Sequence, residues 1–280
     1  MTVQPRQGVY FLANDGVLDQ ALAFLSSFRT YHPWTPLCLI PFGDDVAALR
    51  DLRDRFEFTV FDDTDLLRQC DEISRAFHRS TRGQYRKIAM WDGPFDEFVY
   101  IDCDTVVLHN VHFVLRYLDR YSFVTSHSDQ PEVRKWVWRD SIYGAGALTE
   151  QQISFAASTG FVASRRDALS VAHASARLDD ALALVDHMEL VCVEQPFLNY
   201  LMVTSGAPYT SLYEISRSTG AWDLPTERWA GDPSFKVHNG QIVDQPTPTL
   251  TLHWAGEWAK ARRTNTDIPY QQLWSHYRYQ

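Results

Sequence analysis

The first 60 residues alternate strand and helix, and this alternation restricts the fold more than any other feature of the chain. Gly8-Val9-Tyr10-Phe11-Leu12-Ala13 reads as a buried strand that ends at the turn formers Asn14-Asp15-Gly16. Residues 17–31 carry an apolar stripe at helical spacing through Leu18, Ala21, Leu22, Leu25 and Phe28, and the stripe stops before Pro33. A second strand at 36–42, a helix from about 44 to 55 and a third strand at 56–61 follow. Parallel strands need a crossover helix to return the chain, so this rhythm specifies a mostly parallel sheet covered on both faces. Further helices are predicted at 65–78, 84–91, 110–121 and 194–203, with a group of helices ending near 188. Strands are predicted at 122–126, 158–163, 209–215, 234–238 and 249–254. Residues 127–152 show no clear period, the mark of a functional loop inside a compact domain. The expected architecture is one α/β domain with a C-terminal elaboration.

Within this frame Phe98-Val99-Tyr100-Ile101-Asp102-Cys103-Asp104-Thr105-Val106-Val107 stands out. It reads as a buried strand interrupted by two carboxylates, which at i and i+2 share a face of the pleat. Each charge loses water there and each repels the other. A divalent cation removes both penalties, because hard cations take carboxylate oxygens as ligands. Ligands of open α/β sheets bind outside the C-terminal strand ends, which puts Asn14 and Asp15 on the same rim as Asp102 and Asp104. The alternative for Asn14-Asp15 is a turn entering the next helix.

The bulk numbers describe an ordinary globular protein: 280 residues, 45% hydrophobic and 22% charged. A net charge of −9 argues against a nucleic-acid partner, which requires a basic face. Residues 1–7 lack the apolar core of a signal peptide, and no run reaches the length of a membrane span. The four cysteines, Cys38, Cys70, Cys103 and Cys192, form no C-x-x-C pair, and Cys38 and Cys103 fall in apparent strands. Reduced thiols in a cytoplasmic protein are expected. Arg82, Arg86 and Lys87 precede the acidic stretch, and His253 follows an apolar strand with Gly256, Lys260, Arg262 and Arg263 behind it. Two carboxylates, a histidine and basic residues together suit a bound diphosphate bridged by Mn²⁺ or Mg²⁺.

The order of these parts resembles the GT-A-fold, nucleotide-sugar-dependent glycosyltransferases, in particular the retaining family of glycogenin and the bacterial lipopolysaccharide galactosyl- and glucosyltransferases. The motifs that carry the resemblance are Phe11-Leu12-Ala13-Asn14-Asp15, Tyr85-Arg86-Lys87-Ile88, Tyr100 to Val107, Ser158-Thr159-Gly160-Phe161-Val162, Glu194-Gln195-Pro196-Phe197-Leu198-Asn199 and His253-Trp254-Ala255-Gly256. It covers about residues 8–260. It implies a Rossmann-like, mixed but mostly parallel sheet, with a GT-A domain at 1–260 and a C-terminal tail or helix at 261–280. Residues 8–126 would form the nucleotide-binding half and 127–260 the acceptor side.

The resemblance further implies Asp102, Asp104 and His253 as metal ligands. Ala13, Asn14 and Asp15 would meet base and ribose, Arg86 or Lys87 the donor, and Gly256 and Lys260 the diphosphate. Gln195 would lie beneath the reacting sugar, with Glu194 and Asp104 completing the catalytic set. The implied activity is transfer of a hexosyl unit from a nucleotide sugar, UDP-linked, to the hydroxyl of a carbohydrate, lipid-linked or small-molecule acceptor, with retention of configuration. Three departures stand out. Lys260 lies seven rather than six residues past His253, Ser158-Thr159 replace Asn-Ala, and Glu194 replaces an aspartate. They leave the role of Lys260 and the donor sugar open.

Two other readings compete. Asp102-Cys103-Asp104-Thr105-Val106 also matches the nucleophile motif of haloacid-dehalogenase-type phosphatases, with Asp102 attacking phosphorus and Asp179-Asp180 as a downstream acidic pair. That motif belongs on a first strand, whereas about a hundred residues precede it here. A catalytically silent nucleotide-sugar-binding protein is the other. Trp136, Trp138, Trp222 and Trp229 lie in irregular stretches and are acceptor-stacking candidates. The aromatic and basic tail either docks as a helix or makes peripheral contact with a membrane.

Overall fold

The computed structural model describes residues 6–221, 223–243 and 247–280. The strands are β1 (Gln7–Ala13), β2 (Leu37–Pro41), β3 (Phe58–Val60), β4 (Glu97–Ile101), β5 (Thr105–Val107) and β6 (Phe123–Thr125). They continue with β7 (Phe161–Arg165), β8 (Tyr209–Ser211), β9 (Thr226–Trp229), β10 (Lys236–His238), β11 (Gln241–Val243) and β12 (Thr249–His253). Seven form a central sheet in the order β3-β2-β1-β4-β7-β6-β8. β1, β2, β3 and β4 run parallel, β7 is antiparallel to both β4 and β6, and β8 is parallel to β6. The expected mixed, mostly parallel α/β sheet is therefore present.

Period-2 alternation explains why both faces are covered. Along β1, Val9, Phe11 and Ala13 join one apolar cluster while Tyr10 and Leu12 join the other. Along β4, Val99 and Ile101 go to the first and Phe98 and Tyr100 to the second. A strand buried on both faces reads as an unbroken apolar run, which is the pattern of its sequence. The helix Leu18–Tyr31 lays Phe24, Leu25 and Phe28 against the first face. The helix Thr64–His78 covers the other with Leu67, Cys70, Ile73 and Phe77.

A three-stranded sheet, β5-β12-β9, stands beside the central one, and one sequence expectation fails here and a second at β8 of the central sheet. Residues 98–107 are not one strand. β4 ends at Ile101, Asp102-Cys103-Asp104 turn, and β5 leaves to pair antiparallel with β12. The turn is held because the Asp102 N–H donates to the Gly160 carbonyl (2.8 Å) and Thr105 Oγ1 donates to the Asp102 carbonyl (2.7 Å). The Trp254 N–H donates to the Asp104 carbonyl (3.0 Å). Cys103 accordingly lies in a turn rather than a strand. Residues 209–215 are also not one strand, because β8 stops at Ser211 and a helix, Leu212–Thr219, begins. Ser211 Oγ accepts from the Glu214 N–H (3.1 Å), and Gly220 at φ +70° closes the other end.

The helix Gln271–Arg278 packs Leu273 and Tyr277 into a third apolar cluster with Val106, Leu252, Trp254 and Ala23. Its Arg278 pairs with Asp19 of the first helix (2.5 Å). Among the described residues no helix is long and apolar enough to cross a membrane. All four cysteines are free thiols.

Candidate active site

Asp102 and Asp104 follow the C-terminal end of β4, and Asn14 and Asp15 follow that of its parallel neighbour β1. The turn brings the two carboxylates to one point, and β12 delivers His253 to it through its pairing with β5, where His253 faces Thr105. One ligand atom each from Asp102, Asp104 and His253 lies within 4.8 Å of the others. His253 Nε2 is 3.1 Å from Asp104 Oδ1 and 3.9 Å from Asp102 Oδ2. Among the described residues no other group of three or more His, Cys, Asp or Glu side chains is arranged to hold a metal.

The surroundings fit a cation. Gly160 passes so close that a Cβ there would meet His253 Cε1 at 2.6 Å and Asp102 Oδ2 at 3.0 Å, so only glycine leaves the ligand atoms in place. Burial would lower the His253 pKa, but Asp104 and Glu227 outweigh it and hold the imidazole well above its ordinary range. Burial would raise Asp104, yet His253 pulls it down. A divalent ion at this point would offset the repulsion between the Asp102 and Asp104 carboxylates.

Lys87 forms the second half of the site. Its buried Nζ donates to Glu194 Oε1 (2.5 Å) and pairs with Asp102 Oδ1 (2.9 Å), 4.9 Å from the centre of the Tyr100 ring. Desolvation would lower the Lys87 pKa, but the two carboxylates more than offset it and raise it. Tyr100 donates its hydroxyl to Asp102 Oδ1 (2.6 Å). Gln195 begins the helix Gln195–Thr204 and is held at both ends of its amide. Its Oε1 accepts from the Thr159 N–H (3.2 Å) and its Nε2 donates to the Trp136 carbonyl (3.0 Å). Asn199, one turn on, ties the same helix to Ala157 by accepting from its N–H (2.6 Å) and donating to its carbonyl (2.9 Å).

No protein-family model matches the chain, and no curated protein matches it in sequence. Solved structures do. Over 99% of its length the chain superposes on the bifunctional glycosyltransferase WbbM with a TM-score of 0.57 at 13% identity, spanning 52% of that chain. The glycosyltransferase GlyE of Streptococcus pneumoniae TIGR4 matches over 99% at a TM-score of 0.52 and 15% identity, with 61% of GlyE spanned. The galactosyltransferase LgtC, solved with donor and acceptor sugar analogues, matches over 94% of this chain and 98% of its own at 0.55 and 14% identity. The chain has the GT-A glycosyltransferase fold.

On this GT-A sheet the remaining candidate residues fall in different places. Ala13 is buried at the end of β1. Asp15 accepts from the N–H groups of Ala48 (2.9 Å) and Leu49 (3.0 Å), so it caps the helix Ala47–Asp51, and Asn14 lies half-buried beside it. Arg86 makes a bidentate pair with Asp71 (2.9 and 2.7 Å), donates to the Pro41 carbonyl (3.2 Å) and stands 3.7 Å from Asp44. It thus anchors the end of β2 from within the fold, whereas Lys87 faces the acidic turn. Gly256, at φ +74°, precedes the helix Glu257–Thr264, and Lys260 is exposed and paired with Glu257 (3.1 Å). Asp180 of the acidic pair Asp179-Asp180 bonds Arg177 (2.8 Å) and joins no metal cluster among the described residues.

Trp136 is 48% exposed, with its carbonyl on Gln195. Trp138 is buried and bridges to Met188, and Trp229 is half-buried against His127 with ring centres 4.5 Å apart. Trp222 lies outside the described residues.

The sequence reading missed Glu227. It is buried on β9, which was not expected as a strand, and accepts from His253 at 2.8 Å. Its only signal is an acidic residue between Thr226 and the half-apolar pair Arg228-Trp229, too short a run to show a period.

Proposed function

We propose that the chain is a metal-dependent glycosyltransferase that moves a hexosyl unit from a nucleotide sugar, UDP-linked, to an acceptor hydroxyl with retention of configuration. The observation that carries this reading is the convergence of Asp102, Asp104 and His253 within 4.8 Å on the C-terminal rim of a GT-A sheet. Two aspartates beside a diphosphate repel it, at about 4 kcal/mol per charge pair 4 Å apart and an effective dielectric near 20. Asp102, Asp104 and His253 would hold Mn²⁺ or Mg²⁺, which would reverse that sign and supply Lewis-acid stabilisation of the departing diphosphate.

The chain's own residues then divide the work. Residues 8–126 hold the nucleotide, with Asn14 and Asp15 at the rim where base and ribose would lie. Residues 127–260 supply the acceptor side. Lys87 offsets charge on Asp102 and would face the donor through it. Gln195, fixed by Thr159 and Trp136, presents a preset amide beneath the reacting sugar. Glu194 accepts from Lys87 and orients that ammonium, while burial pushes the pKa of the carboxyl itself up. Half-exposed Trp136 offers an apolar face for a sugar acceptor.

Donor hydrolysis tests the assignment. With Mn²⁺ the wild type is expected to release nucleoside diphosphate slowly from one of a panel of UDP-, GDP- and ADP-sugars. Asp104→Asn is expected to reduce that rate by about 100-fold or more. Unchanged hydrolysis in the variant would remove the metal centre from the reaction.

A further inference from the structure

We infer that Glu227 is the positioning residue of the metal centre: it fixes His253 in the one tautomer that presents Nε2 to the cation. The inference rests on the metal-centre reading of Asp102, Asp104 and His253 given above.

A neutral imidazole carries one N–H and one lone pair, and only the lone pair binds a metal. The carboxylate of Glu227 accepts a hydrogen bond and donates none, so His253 Nδ1, 2.8 Å from Oε1, must carry the proton. With that proton fixed on Nδ1, it is the Nε2 proton facing Asp104 and Asp102 that a cation would displace, leaving the Nε2 lone pair as the ligand. The second oxygen, Oε2, accepts from Ser126 Oγ just past β6, which fixes the carboxylate from the far side. His127 Nδ1 stands 3.9 Å from the same oxygen. A carboxylate whose side chain is wholly inaccessible carries a desolvation cost that these partners must offset.

The strand register is built to put it there. β9 and β12 run parallel with Thr226 opposite Thr249 but Glu227 opposite Thr251, so the register slips by one residue at Leu250. After the slip Glu227 shares a face with Thr251 and His253. Without it, Glu227 would sit opposite Leu250 and project from the face of Leu250 and Leu252. Irregularities of this kind recur beside functional sites, where they re-aim a side chain. The residue that would be misplaced by a regular ladder is the one that touches the histidine.

Glutamine at 227 tests this, because an amide donates as readily as it accepts and no longer specifies which imidazole nitrogen holds the proton. Mn²⁺ binding to the full chain is read from the free-ion signal by electron paramagnetic resonance, beside circular dichroism and thermal unfolding of the metal-free protein. Glu227→Gln is expected to weaken Mn²⁺ binding by about 10- to 100-fold while the folded spectrum is retained. Ser126→Ala, which leaves the bond to His253 but frees the other oxygen, is expected to weaken it several-fold. A Glu227→Gln protein that is folded and binds Mn²⁺ as the wild type does would overturn the inference. Should that variant fail to fold, unchanged Mn²⁺ affinity in Ser126→Ala would overturn it instead. Absence of Mn²⁺ binding by the folded wild type would be a different failure, that of the metal-centre reading itself.

Discussion

A backbone group holds the side chain of His32. His32 is buried and its Nε2 accepts from the Val111 N–H (3.0 Å), a bond that only the neutral ring can accept. Burial, with His112 and Arg29 nearby, pulls its pKa from 6.5 to about 4. The folded chain therefore refuses a proton that the unfolded chain accepts, so this stability is present above about 6.5 and lost as pH falls towards 4. Thermal unfolding across that window is expected to fall more steeply in the wild type than in His32→Gln, which keeps an acceptor but does not titrate. Gly160 is the other position where one atom decides. Gly160→Ala would force a Cβ against His253 and Asp102 and is expected to cost about 1–3 kcal/mol, measurable by denaturant unfolding.

Elements meet at the site through a few buried polar ties, and these account for what could and could not be read from sequence. The helix Gln195–Thr204 is joined to residues 157–159 by Asn199 and Gln195. Asn199→Ala would strand the N–H and carbonyl of Ala157 and is expected to cost about 2–4 kcal/mol. Lys87 links the Gly83–Asp92 helix to both Glu194 and the acidic turn. Lys87→Met alone leaves Glu194 buried without its partner and is expected to destabilise by about 3–5 kcal/mol. The double variant with Glu194→Leu is expected to recover most of that loss, and chemical denaturation of the set measures the coupling.

The β1-helix-β2 run was legible because both strands are apolar runs and the helix Leu18–Tyr31 has a 3.6-residue stripe. The expected helix at 44–55 is instead two short ones, Ala47–Asp51 and Arg53–Phe56, and β3 is only Phe58–Val60. The break at Asp102-Cys103-Asp104 was not legible, because β-branched residues flank it on both sides and the two sheets that share them are distant in sequence. Residues 212–219 form a helix where a strand is expected through 215, because the apolar Leu212 and Ile215 suit either element and the Ser211 cap on the Glu214 N–H decides for the helix. Arg86 and Lys87, adjacent in a basic pair, face different partners, a distinction that no one-dimensional pattern carries.

At the scale of the molecule, the C-terminal segment closes the fold rather than trailing from it. The helix Gln271–Arg278 buries Leu273 and Tyr277 against the first helix and the three-stranded sheet that carries His253. Removing residues 271–280 is expected to cost about 3–6 kcal/mol from those two side chains, seen as a lowered unfolding midpoint. The chain spans about half of WbbM and nearly all of LgtC. In the proposed function Asp102, Asp104 and His253 hold a divalent cation for a nucleoside diphosphate, and equilibrium binding of UDP to the intact chain tests this most directly. Titrations with Mn²⁺ and with chelator are expected to show tight binding only when the metal is present, and to show little in Asp104→Asn. Equal UDP affinity with chelator and with Mn²⁺, or full affinity in Asp104→Asn, would contradict it.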